Sequence, residues 1–363
     1  MTVKDKFTGC LLAGACGDAL GYPVEFMSAK EIRRHFGKEG IKDMTLSAIY
    51  REAQISDDTQ MTLFTVNGLL AAVDKAAQNG SADWVKDGLW PAYKRWYHLQ
   101  MGVVNYPGVL QPFPFEDPKN YIVNLLVPSD NMAIRACRAP GNTCLAGLSG
   151  ATPGEAGRPK NDSKGNGGVM RVAPVGLLLH DAPGEAYTVG RRSAAITHGH
   201  PTGYIAAGVM AYIVAELVNG KDLLEAVRRA LDCAEMVDKG KTFETVTAVE
   251  TALRAAERGA DVQAFIASTK GGWIAEEALA IALFCALRTG TAEDAIRAAV
   301  NHGGDSDTTG AICGNLVGAR DGVDAIPARW LERLELRRFI TGSALDLYDA
   351  SLEDLNVEEV IPF

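Results

Sequence analysis

The chain has 363 residues, of which 47% are hydrophobic and 22% are charged, so it can bury a large core as a folded globular protein. Its formal net charge of −9 argues against general nucleic-acid binding and against attachment to an anionic membrane, because both need a basic surface. These features favour a small substrate over a polymer.

The seven cysteines and the apolar segments bear on the cellular location of the protein. The cysteines are scattered without CxxC spacing, which argues against a disulfide framework or a zinc site and favours a reducing environment. LLAGAC at Leu11–Cys16 is similar to the end of a lipoprotein signal, but its short apolar run continues directly into GDALGYPVEF. The longest other apolar runs, such as Ala278–Leu287, fall short of the roughly 18 residues that a membrane helix needs. The sequence therefore predicts a soluble cytoplasmic protein with no membrane partner.

GDALGYPVEF at Gly17–Phe26 is the first candidate functional motif. Gly21 and Pro23 mark a turn, and Glu25 follows that turn. An acid at this position can join a carboxylate cluster or act as a proton-transfer group. The alternative is an exposed loop carboxylate, and the sequence leaves both open.

SDDTQM at Ser56–Met61 leads into a helical pattern over residues 60–77. Ser56 can cap this helix, and Asp57 and Asp58 then lie in its first turn, where the helix dipole favours negative charge. Taken alone, the motif is explained by helix capping.

Residues 101–165 differ in composition from the rest of the chain. They hold eight of the fifteen prolines, several glycines and little periodicity. We interpret this segment as an irregular insertion that flanks a pocket and not as a linker between domains. Since no repeat of 20–50 residues is present either, the sequence predicts a single domain over residues 1–363.

KGNGGVMRVAP at Lys164–Pro174 is a glycine-rich loop before an apolar segment. Such a loop exposes successive backbone N–H groups that can hold a pyrophosphate, although a tight turn is the simpler explanation of the glycines alone. His198, in ITHGHPTGY, lies between two helical patterns. Its simplest role is that of a capping or core residue, and contact with a ligand is the alternative.

Helical patterns outnumber strand patterns along the chain. Apolar residues at spacings of three and four, with abundant alanine, leucine and glutamate, occur in residues 60–77, 203–218, 221–236, 242–258 and 275–288. TAED at Thr291–Asp294 matches a capping box that opens a further short helix. The sequence therefore predicts an all-α fold.

HGGDSDTTG at His302–Gly310 repeats the acidic helix start of SDDTQM. Asp305 and Asp307, with three hydroxyl side chains around them, precede GAICGNLVGA, whose small residues allow very close packing against a neighbour. The four carboxylates and the hydroxyls of both motifs form an all-oxygen set that suits Mg²⁺, Mn²⁺ or Ca²⁺. We predict that the two motifs face each other and hold two divalent cations about 3.5–4 Å apart.

Five motifs resemble, in their order and approximate spacing, those of the ADP-ribosylglycohydrolases, the group that includes the dinitrogenase reductase-activating glycohydrolase. They are GDALGYPVEF, SDDTQM, GNGGVMRVAP, THGHPTGY and GGDSDTTGAICGNLVGA. The resemblance covers about residues 6–325 and is poor over residues 85–160. It implies a compact, orthogonal multi-helix fold with a long irregular insertion and a cleft that holds two Mg²⁺ or Mn²⁺ ions. It also implies an enzyme whose partner is an ADP-ribosylated protein or a small ADP-ribosyl substrate.

The resemblance also implies roles for individual residues. The metal ligands would be Ser56, Asp57, Asp58, Asp305, Asp307 and Thr308. The diphosphate side of ADP-ribose would be held by Ser163, Gly165, Asn166, Gly167 and Gly168, with His198 on the same ligand and Glu25 as the nearby acid. Two positions depart from the family pattern: Ser56 stands where many members have threonine, and Lys164 stands where an aromatic residue is frequent. The second departure leaves the preferred leaving group open.

The implied reaction is hydrolysis at the anomeric carbon of the ribose, with the metals as template and Lewis acid. Either Asp58 or Glu25 transfers the proton, and the sequence does not decide between them. Arginine-linked ADP-ribose is the first candidate substrate, because a guanidinium group leaves in protonated form and an acidic cleft favours this. Two alternatives stay open: a non-catalytic ADP-ribose-binding protein and a di-metal phosphoester hydrolase.

Overall fold

The structure is a computed structural model that describes residues 1–102 and 133–353. Within these ranges there is no β-strand, and extended segments pair only in isolated bridges such as that between Gly165 and Ile274. The all-α fold predicted from the sequence is confirmed. Numbered through the described residues, the α-helices are α1 (Val3–Gly21), α2 (Ala29–Phe36), α3 (Asp57–Asn79), α4 (Trp90–Gln100), α5 (Asn142–Ser149), α6 (Ala173–Leu178), α7 (Pro183–Ala195), α8 (Pro201–Val218), α9 (Leu223–Val237), α10 (Phe243–Glu257), α11 (Val262–Ala267), α12 (Ala275–Arg288), α13 (Ala292–Val300), α14 (Ser306–Asp321), α15 (Ala328–Leu331) and α16 (Arg337–Ala350).

Local sequence sets several of the helix starts. Thr2 opens α1 and Ser28 opens α2 with complete capping boxes, in which the acid three residues on accepts the N–H of the cap residue. The start predicted at TAED is confirmed, since Thr291 Oγ1 accepts the Asp294 N–H at 3.1 Å and α13 follows.

The five long helical segments predicted from the sequence are present as α3, α8, α9, α10 and α12. Periodicity did not predict α1, although it is longer than most of them. Nearly every residue of α1 from Lys6 to Gly21 is buried. A helix that is buried on all sides has no polar face, so its sequence carries no amphipathic signal.

The proline-rich segment at residues 101–165 is described only in part, because residues 103–132 lie outside the described residues. The described remainder contains a short helical stretch at residues 133–135, then α5, and irregular chain with turns and bends on either side of α5. This remainder lies beside the pocket described below.

One described helix, α8, is long and apolar enough to cross a membrane, and counting apolar runs in the sequence missed it. In the structure, 89% of this helix is buried inside the protein. Packing in the core therefore accounts for its composition.

The helices α1 and α14 pack with their backbones in direct contact, as the small residues of GAICGNLVGA predict. A Cβ atom added at Gly314 would lie 2.1 Å from the carbonyl oxygen of Ala13, and one added at Gly318 would lie 2.1 Å from that of Gly9. Residues at this spacing of four lie on one face of each helix. We call this contact the α1–α14 seam.

The seam continues to the acidic start of α14. A Cβ atom added at Gly17 would lie 2.0 Å from the carbonyl oxygen of Gly310, and one added at Gly21 would lie 2.5 Å from the backbone nitrogen of Asp307. The end of α1 therefore touches the turn that carries Asp305 and Asp307. The seam fixes where this acidic turn lies relative to α1.

Gly314→Ala should lower the free energy of unfolding by about 3 kcal/mol, because the added methyl group meets backbone and the two helices must separate. Denaturant unfolding measures the loss. Gly184→Ala is the matched control, since a Cβ atom there meets nothing within 4 Å. Equal stability of the two variants would contradict the tight seam.

Candidate functional site

The first acidic motif begins α3 in the way that capping predicts. Ser56 is extended, and its hydroxyl accepts the Asp58 N–H at 3.2 Å. Asp57 and Asp58 follow in the first turn, and all three residues are buried. Ser56 does not line the pocket, whereas both aspartates do.

Asp18, on α1, accepts hydrogen bonds from the first turn of α3 and holds this turn in place. Both of its carboxylate oxygens accept the Ser56 N–H at 3.0 Å, and Oδ2 also accepts the Thr59 N–H at 3.1 Å and the Thr59 hydroxyl at 2.5 Å. Burial raises the pKa of Asp18 to about 6, against the lowering effect of these hydrogen bonds. Sequence reasoning missed Asp18, although it lies in GDALGYPVEF.

A strap formed by residues 138–141 crosses the start of α3. The Asp57 N–H donates to the Arg138 carbonyl at 3.2 Å, and Asp57 Oδ2 accepts the Gly141 N–H at 3.1 Å. Arg138 is buried and forms a two-pronged ion pair with Glu335, with Nη2 to Oε1 at 3.0 Å. Since Arg138 also donates to the Ile55 carbonyl at 2.9 Å, the ion pair fixes the strap next to Asp57.

The second acidic motif is held by the glycine-rich loop. The Asp305 N–H donates to the Gly271 carbonyl at 2.8 Å, and Asp305 Oδ2 accepts from Asn166 Nδ2 at 2.7 Å. Asn166 Nδ2 also donates to the Gly272 carbonyl at 2.8 Å. The side-chain amide of Asn166 therefore positions Asp305, and contact of Asn166 with a ligand stays a prediction.

The two acidic motifs meet, with Glu25 beside them. Carboxylate oxygens of Glu25, Asp305 and Asp307 lie within 4.8 Å of one another. The Thr308 hydroxyl donates to Asp58 Oδ2 at 3.2 Å, which joins the start of α14 to that of α3. Glu25 is therefore not the exposed loop carboxylate of the simpler interpretation, because it is only 7% exposed.

No lysine or arginine of the described residues lines the pocket that holds this acidic cluster. Burial raises the pKa of Glu25 to about 8, and the nearby carboxylates of Asp305 and Asp57 add to the rise. Burial and like charges also hold the pKa values of Asp58 and Asp307 well above their usual range. Glu25 Oε2 and Asp58 Oδ1 are buried without a hydrogen-bond partner. An all-oxygen cluster with orphaned carboxylate atoms fits a hard divalent cation.

The glycine-rich loop contacts the cluster through Asn166, and its other members have different surroundings. Gly165 and Gly167 line the pocket. Gly168 does not line it, since a Cβ atom there would lie 2.6 Å from that of Ala194, so this glycine is needed for packing. Ser163 also lies outside the lining, where its hydroxyl accepts the Gly165 N–H at 3.2 Å.

His198 lines the pocket beside the loop and is 1% exposed. Burial, together with the nearby Arg171, lowers the pKa of His198 to about 3, so its imidazole is neutral. Lys164, by contrast, does not line the pocket. Its amine pairs with Glu244 Oε1 at 2.6 Å.

The pocket is a cavity of about 450 Å³ with an aromatic pair at one side. Phe26 and Trp273 stack with ring centroids 6.0 Å apart, and they are 76% and 44% exposed. Sequence reasoning missed both. Of the candidate residues, the pocket lining contains Glu25, Asp57, Asp58, Gly165, Asn166, Gly167, His198, Asp305, Asp307 and Thr308.

Asp18→Asn should destabilise the protein by about 1–3 kcal/mol, because the amide offers one acceptor oxygen to donors that now share two. Thermal or denaturant unfolding measures this effect. Asp181→Asn is the control, since its side chain is 85% exposed. A loss no larger than that of the control would show that Asp18 does not hold the start of α3.

This chain is similar along most of its length to proteins of one known family. A family model described as ADP-ribosylglycohydrolase matches residues 1–356. The chain is 27% identical over 342 residues to the ADP-ribosyl-[dinitrogen reductase] glycohydrolase of Rhodospirillum rubrum, with 93% of this chain and 92% of that protein covered. It is 23% identical over 350 residues to the ADP-ribosylarginine hydrolase Tri1 of Pseudomonas putida (strain GB-1), with 95% and 78% covered.

A solved structure of an ADP-ribosylglycohydrolase-related protein complex has the same fold. Its TM-score is 0.60 at 27% identity, and the match covers 96% of this chain and 99% of that chain. The family predicted from the sequence motifs is confirmed, because the family model matches nearly the whole chain. The chain therefore belongs to the ADP-ribosylglycohydrolase family and is a hydrolase that acts on a glycosyl bond.

Proposed function

We propose that this enzyme removes ADP-ribose from modified protein side chains, with arginine-linked ADP-ribose as the first candidate, by hydrolysis at the anomeric carbon of the ribose. One observation carries the proposal: the two acidic helix starts meet in a pocket that the glycine-rich loop also lines. Activity on ADP-ribosylated proteins is the function of this family. The name of the related ADP-ribosylarginine hydrolase supports the arginine linkage.

Two divalent cations, Mg²⁺ or Mn²⁺, are part of the proposal. The family is generally metal-dependent, and the buried acidic cluster has the oxygen donors that such ions prefer. When bound, the ions would supply Lewis acidity and balance the carboxylate charge. The proposed ligands are Ser56, Asp57, Asp58, Asp305, Asp307 and Thr308.

Side chains and backbone groups of the protein perform two further tasks, proton transfer and diphosphate binding, in different parts of the pocket. On the acidic side, Glu25 Oε2 and Asp58 Oδ1 are orphaned and buried, so either atom is able to accept or donate the proton that hydrolysis moves. On the other side, backbone N–H groups of the glycine-rich loop and the neutral His198 are suited to hold a diphosphate. This division orients the ribose with its anomeric carbon toward the acids.

The lining of the pocket supports a cationic leaving group. Its described residues include no lysine or arginine, whereas four of the aspartates and Glu25 face the cavity. Phe26 and Trp273 offer exposed aromatic faces next to Glu25 and the Gly271–Gly272 turn. A guanidinium group stacks well on aromatic rings and is stabilised by nearby carboxylates.

A reducing compartment, and hence the cytoplasm, is likewise part of the proposal. The seven cysteines are all free, which fits such a compartment.

With Mg²⁺ or Mn²⁺ present, the enzyme should release free ADP-ribose from an ADP-ribosyl-arginine peptide, and a chelator should stop it. Asp307→Ala should abolish turnover and lower the metal content measured by elemental analysis, while Asp181→Asn should change neither. Serine-linked and nucleic-acid-linked ADP-ribose complete the substrate panel.

The products discriminate the remaining alternatives. AMP-type fragments would identify a phosphoester hydrolase. Binding of ADP-ribose with no product from any substrate of the panel would identify a non-catalytic binding protein.

Glu25→Gln should lower kcat by roughly 10²- to 10⁴-fold while ADP-ribose binding is retained, because the amide keeps the shape of the side chain but cannot transfer the proton. Steady-state kinetics and calorimetric titration with ADP-ribose measure the two quantities. Glu235→Gln, on the surface of α9, is the control. Near-normal turnover of Glu25→Gln would assign the proton transfer to Asp58.

A further inference from the structure

Arg171 is a buried cation that the proposed reaction does not use. It follows the glycines within the glycine-rich loop and is fully buried, and its guanidinium carbon Cζ lies over the Tyr93 ring at 4.3 Å from the centroid. Its Nη2 donates to the Ser193 carbonyl at 3.0 Å and to the Thr197 hydroxyl at 2.9 Å. Thr197 precedes His198, so a buried charge is connected to the pocket through one hydroxyl group.

The hydroxyl of Thr197 has a determined direction. A guanidinium group has only donors, so Thr197 Oγ1 accepts from Arg171. The single hydroxyl hydrogen then has two acceptors within reach, His198 Nδ1 at 2.9 Å and the Ala194 carbonyl oxygen at 3.4 Å.

The Ala194 carbonyl is already occupied. It accepts the Thr197 N–H at 3.1 Å and the His198 N–H at 2.9 Å, and these two bonds use both of its lone pairs. The Thr197 hydroxyl therefore donates to His198 Nδ1, which is also the closer atom. A neutral imidazole that accepts at Nδ1 carries its hydrogen on Nε2.

The Nε2 atom faces the pocket between two glycines. A Cβ atom added at Gly165 would lie 3.1 Å from it, and one added at Gly167 would lie 3.4 Å from it. Both glycines line the pocket. Side chains at either position would cover the Nε2–H, so the glycines leave this donor open to a ligand.

We propose that Arg171 and Thr197 are positioning residues that lock His198 in the Nε2–H tautomer, so that it donates a hydrogen bond to a phosphate oxygen of the ADP-ribose group. The ligand in this inference rests on the proposed function, whereas the tautomer does not. A fixed neutral donor suits a phosphate beside an acidic cluster, because it binds the anion without adding a cation that would pair with the carboxylates. The low pKa of His198 agrees with this arrangement.

The tautomer can be measured without ligand or turnover. Two-dimensional ¹H–¹⁵N spectra of the imidazole rings distinguish protonated from unprotonated ring nitrogens, and loss of one spin system in His198→Gln assigns the signal among the six histidines. We expect a protonated Nε2 and an unprotonated Nδ1. A protonated Nδ1 would overturn the proposal.

Thr197→Val, which keeps the shape but removes the hydroxyl, tests the relay in the metal-loaded enzyme. We expect about 10- to 100-fold weaker ADP-ribose binding, the range of a hydrogen bond to a charged group. KM should rise more than kcat falls, and metal content should not change, because the contact is to the diphosphate and not to the reacting bond.

Two control variants separate the relay from general damage. Thr197→Ser keeps the hydroxyl and should restore binding. Thr188→Val removes a hydroxyl that donates to the Gly184 carbonyl of its own helix, and this variant should bind ADP-ribose as the unmodified enzyme does. Unchanged ADP-ribose affinity of Thr197→Val would overturn the role of the relay. An enzyme with the Nε2–H tautomer that binds no ADP-ribose would refute the proposed function and this choice of ligand, while the tautomer assignment would stand.

Discussion

Burial of like charges in one cavity is the constraint on which the rest of this structure depends. Glu25, Asp57, Asp58, Asp305 and Asp307 are all less than 10% exposed and line the same pocket. Carboxylates at such distances repel one another strongly, and burial removes the water that would screen them. A cluster of this kind persists if its side chains are held by rigid neighbours and if bound protons or cations offset its charge. The fold provides the rigid neighbours, and the proposed metals would provide the cations.

Three separate contacts hold the acids in place, and two of them come from helix α1. The α1–α14 seam sets the turn with Asp305 and Asp307, and on the same helix α1 Asp18 accepts the N–H groups at the start of α3. The Arg138–Glu335 ion pair fixes the strap beside Asp57. These contacts are made by groups outside the acidic cluster, so they hold its carboxylates in place before any ligand binds. The cluster is therefore preorganised for binding.

The sequence predicted the parts of the site that depend on local chemistry. Acidic residues at a helix start, a glycine-rich loop and a capping hydroxyl are each encoded within a few neighbouring residues. The supporting contacts were not predictable in this way. Asp18 bonds to residues 38 and 41 positions away, and the Arg138–Glu335 pair joins residues 197 positions apart. Helix α1 lacked a signal as well, because full burial removes the polar face that periodicity detects.

The pocket must hold an anionic diphosphate and also contain a cluster of carboxylates, and it uses different groups for these two requirements. Under the proposed function, the ligand brings an anionic diphosphate next to an acidic cluster, and a lysine or arginine in the pocket would bind those carboxylates in competition with divalent cations. Among the described residues, no lysine or arginine lines the cavity. Lys164 pairs with Glu244, and Arg171 is buried outside the pocket lining, from where it acts through Thr197 and His198. Neutral N–H donors can then face the diphosphate while the carboxylates stay available for metal ions and for a cationic leaving group.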